Sequence, residues 1–111
     1  MTTLRAQLTE AGFDWTSGRI LYHQISDEAY SPGWVNDNEI IARKFIDFDD
    51  EILDKEFEEG YGAPNLPRFI AEDESFVYFP VQYDGATWVG RTAKNITAYL
   101  QNGSQTPYFG G

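Results

Sequence analysis

The sequence predicts a single α+β domain built around an antiparallel β-meander. The chain has 111 residues, which is long enough to bury one hydrophobic core but too short for two. Three stretches rich in β-branched and aromatic residues follow one another between residues 68 and 92, as consecutive antiparallel strands do. Shorter segments with helical spacing lie on both sides. We expect the domain to span 1–103 and a flexible tail to span 104–111.

The meander is expected to contain three strands joined by two tight turns. Asp84-Gly85 is the dipeptide expected in a two-residue hairpin, and Asp73-Glu74 is the expected first turn. The predicted strands are therefore 68–72, 76–83 and 86–92.

Pro80 lies within the predicted middle strand, where a proline cannot donate a hydrogen bond to a neighbouring strand. The Asp84-Gly85 turn places Pro80 opposite Val89 at a non-hydrogen-bonded position, so no bond is lost on that side. The Asp73-Glu74 turn places Pro80 opposite Pro67, where the ladder ends because neither residue has an N–H group. The proline therefore fits the predicted meander.

Short helices and a further strand are expected around the meander. The first helix is indicated by Leu4 and Leu8 one turn apart and by Gly12 as its stop. A second helix is expected to follow an Asp49 cap. The predicted helices are 2–11, 50–59 and 93–101, and 19–26 alternates as an additional strand would. The segment 39–46 is compatible with either a helix or a strand.

Both faces of the predicted meander carry apolar side chains, and helices are expected to cover one of them. If the other face is only partly covered, Phe69, Phe76 and Tyr78 form an aromatic patch suited to protein contact or homodimerisation. If both faces are covered, the same residues belong to a compact core. The sequence leaves these two alternatives open.

The composition disfavours several classes of protein. The absence of cysteine excludes disulfides, thiol catalysis and thiolate metal sites. No apolar run is long enough for a signal peptide or a membrane span, so a cytoplasmic protein is expected. The lone histidine, His23, is interpreted as a buried, hydrogen-bonded strand residue because it is isolated. No nucleophile elbow or Gly-rich phosphate loop is present. We therefore expect neither enzymatic activity nor a cofactor.

The net charge of −10 is the strongest global signal in the sequence. It disfavours direct binding to nucleic acid, which requires a basic surface that displaces counterions. The charge is also uneven. Residues 1–74 hold 17 acidic and 6 basic residues (17 − 6, net −11), whereas 75–111 hold 1 acidic and 2 basic residues (net +1). The sequence therefore predicts one negatively charged surface.

The most acidic stretch is 45–60, in which eight of sixteen residues are carboxylates. Its spacing partly matches a calcium-binding loop, but Ile52 stands where the loop needs glycine and Lys55 where it needs a ligand. No metal site is therefore expected. In the predicted helix, Asp54, Glu58 and Glu59 would oppose the helix dipole, which favours a use other than stability.

These observations favour a surface that binds a basic protein, most obviously a nucleic-acid-binding protein or a nuclease. In general character, without any shared motif, a small acidic cysteine-free domain resembles phage-type inhibitors such as anti-CRISPR and anti-restriction proteins, which implies a DNA-mimic-like inhibitor acting in the host cytoplasm. A toxin-neutralising immunity protein and an adaptor assembling through the aromatic face are the alternatives. The predicted contact residues are Asp47, Asp49, Asp50, Glu51, Asp54, Glu58, Glu59, Glu72, Asp73 and Glu74.

Overall fold

The computed structural model describes residues 1–26, 37–58, 66–83 and 86–95. These residues form a five-stranded antiparallel sheet with the strand order β2-β1-β3-β4-β5, one α-helix and two short 3₁₀ turns. The predicted α+β class with a β-meander is confirmed. The elements are α1 (Leu4–Glu10), β1 (Arg19–Ile25), β2 (Ile40–Ile46), β3 (Phe69–Glu72), β4 (Phe76–Tyr83) and β5 (Ala86–Ala93), with 3₁₀ turns at Asp37–Glu39 and Glu51–Asp54.

Helix α1 begins and ends with the local signals that the sequence contains. The Thr3 hydroxyl accepts a hydrogen bond from the Ala6 N–H at 3.1 Å, which satisfies one free donor of the first turn. Leu4 and Leu8 are fully buried against the sheet. Gly12 follows the helix with φ of +90°, a conformation that other residues rarely adopt.

The β4–β5 pairing has the predicted register. Pro80 lies opposite Val89, and the pairs continue to Tyr83 opposite Ala86 at the turn. Since Pro80 occupies a non-hydrogen-bonded position in this ladder, the missing N–H group removes no bond to β5. The Asp84-Gly85 dipeptide itself lies outside the described residues.

The predicted β3–β4 register was wrong by two residues. Glu72 lies opposite Val77, so the turn residues are Glu74 and Ser75 rather than Asp73-Glu74. The reason is the Asp73 side chain, whose Oδ1 accepts hydrogen bonds from the N–H groups of Ser75 and Phe76 at 3.0 and 2.9 Å. An aspartate that caps a turn in this way stabilises it directly.

Segment 39–46, which the sequence left open, is mostly strand β2, paired antiparallel with β1. The predicted 19–26 strand is present as β1, between β2 and β3. The helix predicted over 93–101 does not begin at Ala93, which is instead the last residue of β5. Its remainder, from residue 96, lies outside the described residues, as does the predicted tail 104–111.

The helix predicted over 50–59 was wrong. This part of the chain forms only one 3₁₀ turn, Glu51–Asp54, and it is extended again at Lys55. The cap is Asp50 rather than Asp49, with Asp50 Oδ1 accepting from the Ile52 N–H at 3.0 Å. Beyond the turn, Phe57 pairs with Thr2 through two backbone hydrogen bonds of 2.9 and 3.0 Å. This distant pairing replaces the hydrogen bonds that a helix would have supplied.

One face of the sheet, here called the inner face, packs under α1 and the 51–54 turn. It carries the larger buried side chains of the domain, including Ile20, Phe69, Tyr78 and Val89. Phe13, Trp15 and Phe48 pack edge to face beside them, with ring centroids 4.8 to 6.0 Å apart. The alternate strand residues form the opposite, outer face. No helix within the described ranges has the length and apolar character needed to cross a membrane.

Candidate functional site

Residues 47–58, here called the acidic segment, form an exposed rim beside α1. Two buried side chains, Leu53 and Phe57, anchor the segment in the core with exposed fractions of 0% and 7%. The intervening side chains are therefore directed to solvent. Six of its carboxylates are exposed and Asp50 is half-buried; the exposed ones are Asp47, Asp49, Glu51, Asp54, Glu56 and Glu58.

Two carboxylates of the acidic segment have structural roles. Asp54 accepts hydrogen bonds from Arg5 of α1 at 2.7 and 3.1 Å, and the same guanidinium donates to the Phe48 carbonyl at 2.8 Å. The hydrogen bond from Arg5 lowers the pKa of Asp54. Asp50 caps the 3₁₀ turn. The sequence argument that Asp54 and Glu58 oppose a helix dipole is wrong because no helix is present, and Glu59 lies outside the described residues.

Four carboxylates remain exposed and without an ion pair among the residues that the structure describes. They are Asp47, Asp49, Glu51 and Glu56. Lys55 is the single basic residue in the segment. Since the segment is held by Leu53 and Phe57 below and by Arg5 at its side, these four charges are displayed on a fixed scaffold.

The second predicted acidic cluster, Glu72 to Glu74, does not form a single negative surface. Glu72 is paired with Arg19 at 2.6 Å and with Lys94 at 3.3 Å, and the hydrogen bonds from these two residues lower its pKa. Asp73 is buried, with 6% of its surface exposed. Of the three, Glu74 alone is exposed. Asp73 is therefore not available to a partner.

Asp73 instead connects three parts of the fold. Its Oδ2 accepts hydrogen bonds from the Tyr78 hydroxyl at 2.6 Å and from the Asp14 N–H at 3.0 Å, while Oδ1 caps the β3–β4 turn. Burial alone raises the pKa of Asp73, but these hydrogen bonds outweigh it and the pKa is lowered. Burial and the hydrogen bond to Asp73 together raise the pKa of Tyr78.

Of the two alternatives that the sequence left open for Phe69, Phe76 and Tyr78, the structure has the compact core. Phe69 and Tyr78 are core residues with exposed fractions of 3% and 0%. Phe76 is partly buried against the core, and the Arg91 guanidinium lies 4.0 Å from the centre of its ring. All three belong to the inner face, which α1 covers, so they form no contact surface.

The exposed apolar side chains lie instead on the outer face. Phe45, Ile70 and Trp88 are 58%, 44% and 38% exposed. Leu21 connects two of them, since it pairs with Phe45 on one side and with Ile70 on the other. The sequence showed that both faces are apolar, but nothing local indicates which one the helix covers.

His23 lies on the outer face of β1 and is half-buried, rather than enclosed in the core as predicted. Burial lowers its pKa, and the neighbouring charges of Arg43 and Arg68 lower it further. The imidazole is therefore neutral at pH 7. Across the described part of the chain, no three His, Asp or Glu side chains converge in a way that would hold a metal ion.

Comparisons with models of known protein families, with curated proteins and with solved structures find no significant match. The functional proposals below therefore rest on the geometry and charge of this chain alone.

Proposed function

We propose that the protein is a non-catalytic cytoplasmic inhibitor that binds a basic protein and covers its nucleic-acid-binding surface. The observation that supports this function is the acidic segment, on which Asp47, Asp49, Glu51 and Glu56 are exposed without ion pairs in the described structure. Carboxylates on a fixed scaffold can take the positions of phosphates against Lys and Arg side chains. If the gene is carried by a phage, the site of action is the host cytoplasm.

The basic residues of the domain leave the acidic segment largely uncompensated. Arg19 and Arg43 occupy outer-face positions by strand alternation, whereas the acidic segment packs beside α1. Arg5 pairs with Asp54, whereas Asp47, Asp49, Glu51 and Glu56 have no ion pair among the described residues. A basic partner is attracted by such a surface, while nucleic acid is repelled by it.

Affinity capture at two salt concentrations tests this function. The immobilised protein should retain a basic partner at about 0.05 M salt and release most of it at about 0.5 M, because exposed charges are screened at high ionic strength. If the retained partner is a nucleic-acid-binding protein or a nuclease, the proposal is supported. If it is a toxin, the protein is instead an immunity protein that uses the same surface. Retention that is unchanged by salt would contradict both functions.

A second function, an adaptor that assembles through its sheet, is favoured by the exposed outer face. Its apolar residues include Phe45 and Ile70, and burial of such side chains is a common basis of obligate assembly. The occupant in this case is a second copy of the chain.

The adaptor function predicts an oligomer whose mass is insensitive to salt. Replacing Ile70 by glutamate should convert it to monomers, because a buried unpaired carboxylate is strongly unfavourable at an apolar interface. Size-exclusion chromatography with light scattering measures the mass, and Glu51→Lys on the acidic segment is the control that should leave it unchanged. A wild-type monomer at high protein concentration would contradict the adaptor function.

A further inference from the structure

Strands β3 and β4 separate after a short ladder and leave a cleft in the sheet. The recorded pairs are Ala71 with Tyr78 and Glu72 with Val77, whereas β4 continues to Tyr83. The cleft between the far half of β4 and residues 66–70 has a volume of about 430 Å³. This volume lies within the range of about 300–1,000 Å³ that small-molecule sites occupy.

The sequence explains why the cleft is open. In the ladder with β5, Pro80 occupies a non-hydrogen-bonded position, so its backbone is directed toward β3. Because proline has no N–H group, it cannot donate to a strand on that side. Pro67 lies in the segment that would otherwise continue β3, and it lacks a donor as well. The two prolines therefore remove the hydrogen bonds that would close the sheet here.

The cleft reaches from the outer face down to the core. Leu66 and Phe69 contribute its lining at core depth and are 2% and 3% exposed. Phe79 and Val81 contribute apolar lining from β4. A ligand in this cleft would therefore have an apolar body that packs between side chains of both strands.

A buried hydroxyl group also lines the cleft. Thr87 is 4% exposed, and its side chain forms no hydrogen bond with another described residue. A buried hydroxyl without a partner is uncommon, since it loses its hydrogen bonds to water without replacement. A polar atom of a bound ligand would supply the hydrogen-bond partner that this hydroxyl lacks.

The ionisable side chains that line the cleft are basic. Arg68 and His23 belong to its lining, and no carboxylate does so within the described residues. Arg43 lies opposite His23 in the neighbouring strand and adds a further positive charge nearby. The positive charges of Arg68 and Arg43 favour an anionic ligand in this cleft, although the net charge of the protein is −10.

We propose that the cleft between β3 and β4 binds a small organic acid with an apolar body. Its carboxylate binds beside Arg68, its apolar body packs against Phe69 and Phe79, and a second polar atom forms a hydrogen bond with the Thr87 hydroxyl. Residues 47–58 do not line this cleft, and the proposal does not depend on the proposed inhibitor function.

Three matched probes test the two polar contacts separately. Hydroxyphenylpropanoate has both polar groups, phenylpropanoate lacks the phenolic hydroxyl, and phenylpropanol has no charge. Calorimetry on the full chain should rank their affinities in that order. Equal binding of the acid and the alcohol would overturn the proposal, as would the absence of binding by both acids at millimolar concentration.

Variants assign each contact to its residue. Thr87→Val should weaken the binding of hydroxyphenylpropanoate by about three- to tenfold, the effect of one neutral hydrogen bond. The affinity for phenylpropanoate should not change. Thr87→Ser should restore the affinity. Arg68→Gln should weaken both acids by about tenfold or more, whereas Arg43→Gln, outside the lining, should have a smaller effect. Equal losses for the Arg68 and Arg43 variants would overturn the assignment.

His23 offers a direct readout of where the acid binds, because it is the single histidine of the chain. The positive charges of Arg43 and Arg68 help to lower its pKa. A carboxylate bound beside them should raise that pKa in an NMR titration, and phenylpropanol should not. A His23 titration that is unaffected by a saturating acid would place the ligand elsewhere and overturn the proposal.

Discussion

Replacing Asp73 by alanine is expected to reduce the free energy of unfolding by about 3–5 kcal/mol. The carboxylate accepts hydrogen bonds from the Tyr78 hydroxyl and from the N–H groups of Asp14, Ser75 and Phe76. Its removal leaves a buried hydroxyl and several N–H groups without their partner, and each such group costs about 1–3 kcal/mol when water cannot replace it. Urea unfolding followed by far-UV circular dichroism measures the change.

The matched control for Asp73 is its exposed neighbour. Glu74→Ala removes a carboxylate from the same turn and should change stability by no more than about 0.5 kcal/mol. Asp73→Asn keeps one acceptor oxygen, so its loss of stability should lie between those of Asp73→Ala and Glu74→Ala. Equal stability of the Asp73→Ala and Glu74→Ala variants would show that the hydrogen bonds of Asp73 do not stabilise the fold.

Asp73 also determines a pH dependence. Its pKa is lower in the folded protein than its ordinary value, so its stabilising contribution is fully present above the unfolded pKa of about 3.9. That contribution is lost as the pH falls through the lower pKa of the folded state. The free energy of unfolding, measured from pH 7 down to about pH 2, should therefore decline less steeply in Asp73→Asn than in the wild type.

Reversing three charges on the acidic segment is expected to slow association with the captured partner by about 100-fold at low salt. The change is the triple replacement of Asp47, Asp49 and Glu51 by lysine. These side chains are exposed and have no ion pair within the described residues, so the melting temperature should remain near that of the wild type. Surface plasmon resonance against the purified partner measures the rate.

A pair of single variants distinguishes a specific surface from net charge. Glu51→Lys and Glu10→Lys change the net charge equally, and both replace exposed residues. Glu10 lies at the end of α1 rather than on the acidic segment. We expect Glu51→Lys to slow association by more than Glu10→Lys. Equal effects would indicate that overall charge, and not the acidic segment, attracts the partner.

The features of the fold that could be predicted from the sequence depend on local turn chemistry. Asp84-Gly85 and the constraint on Pro80 together define the β4–β5 register, and the structure has Pro80 opposite Val89 as expected. The β3–β4 turn was predicted one residue too early, because Asp73-Glu74 and Glu74-Ser75 are both polar pairs that fit a turn. The observed turn is selected by the Asp73 carboxylate, which caps it and also binds Tyr78.

The features that could not be predicted depend on contacts between distant residues. Leu53 and Phe57 have helical spacing, but Phe57 pairs with Thr2, which is 55 residues earlier in the sequence, and that pairing keeps the segment extended. The choice of covered face is likewise a tertiary property, since both faces are apolar. The acidic run is visible in the sequence, whereas the roles of Asp54 and Asp50 required the positions of Arg5 and the 3₁₀ turn.

The central claim is that the acidic segment occupies a nucleic-acid-binding surface of its partner. The most direct test is a competition in which the captured partner is titrated with duplex DNA in the presence and absence of this protein. We predict mutually exclusive binding, with the wild type displacing DNA and the Asp47→Lys/Asp49→Lys/Glu51→Lys variant failing to do so. A ternary complex of partner, DNA and this protein would contradict the claim.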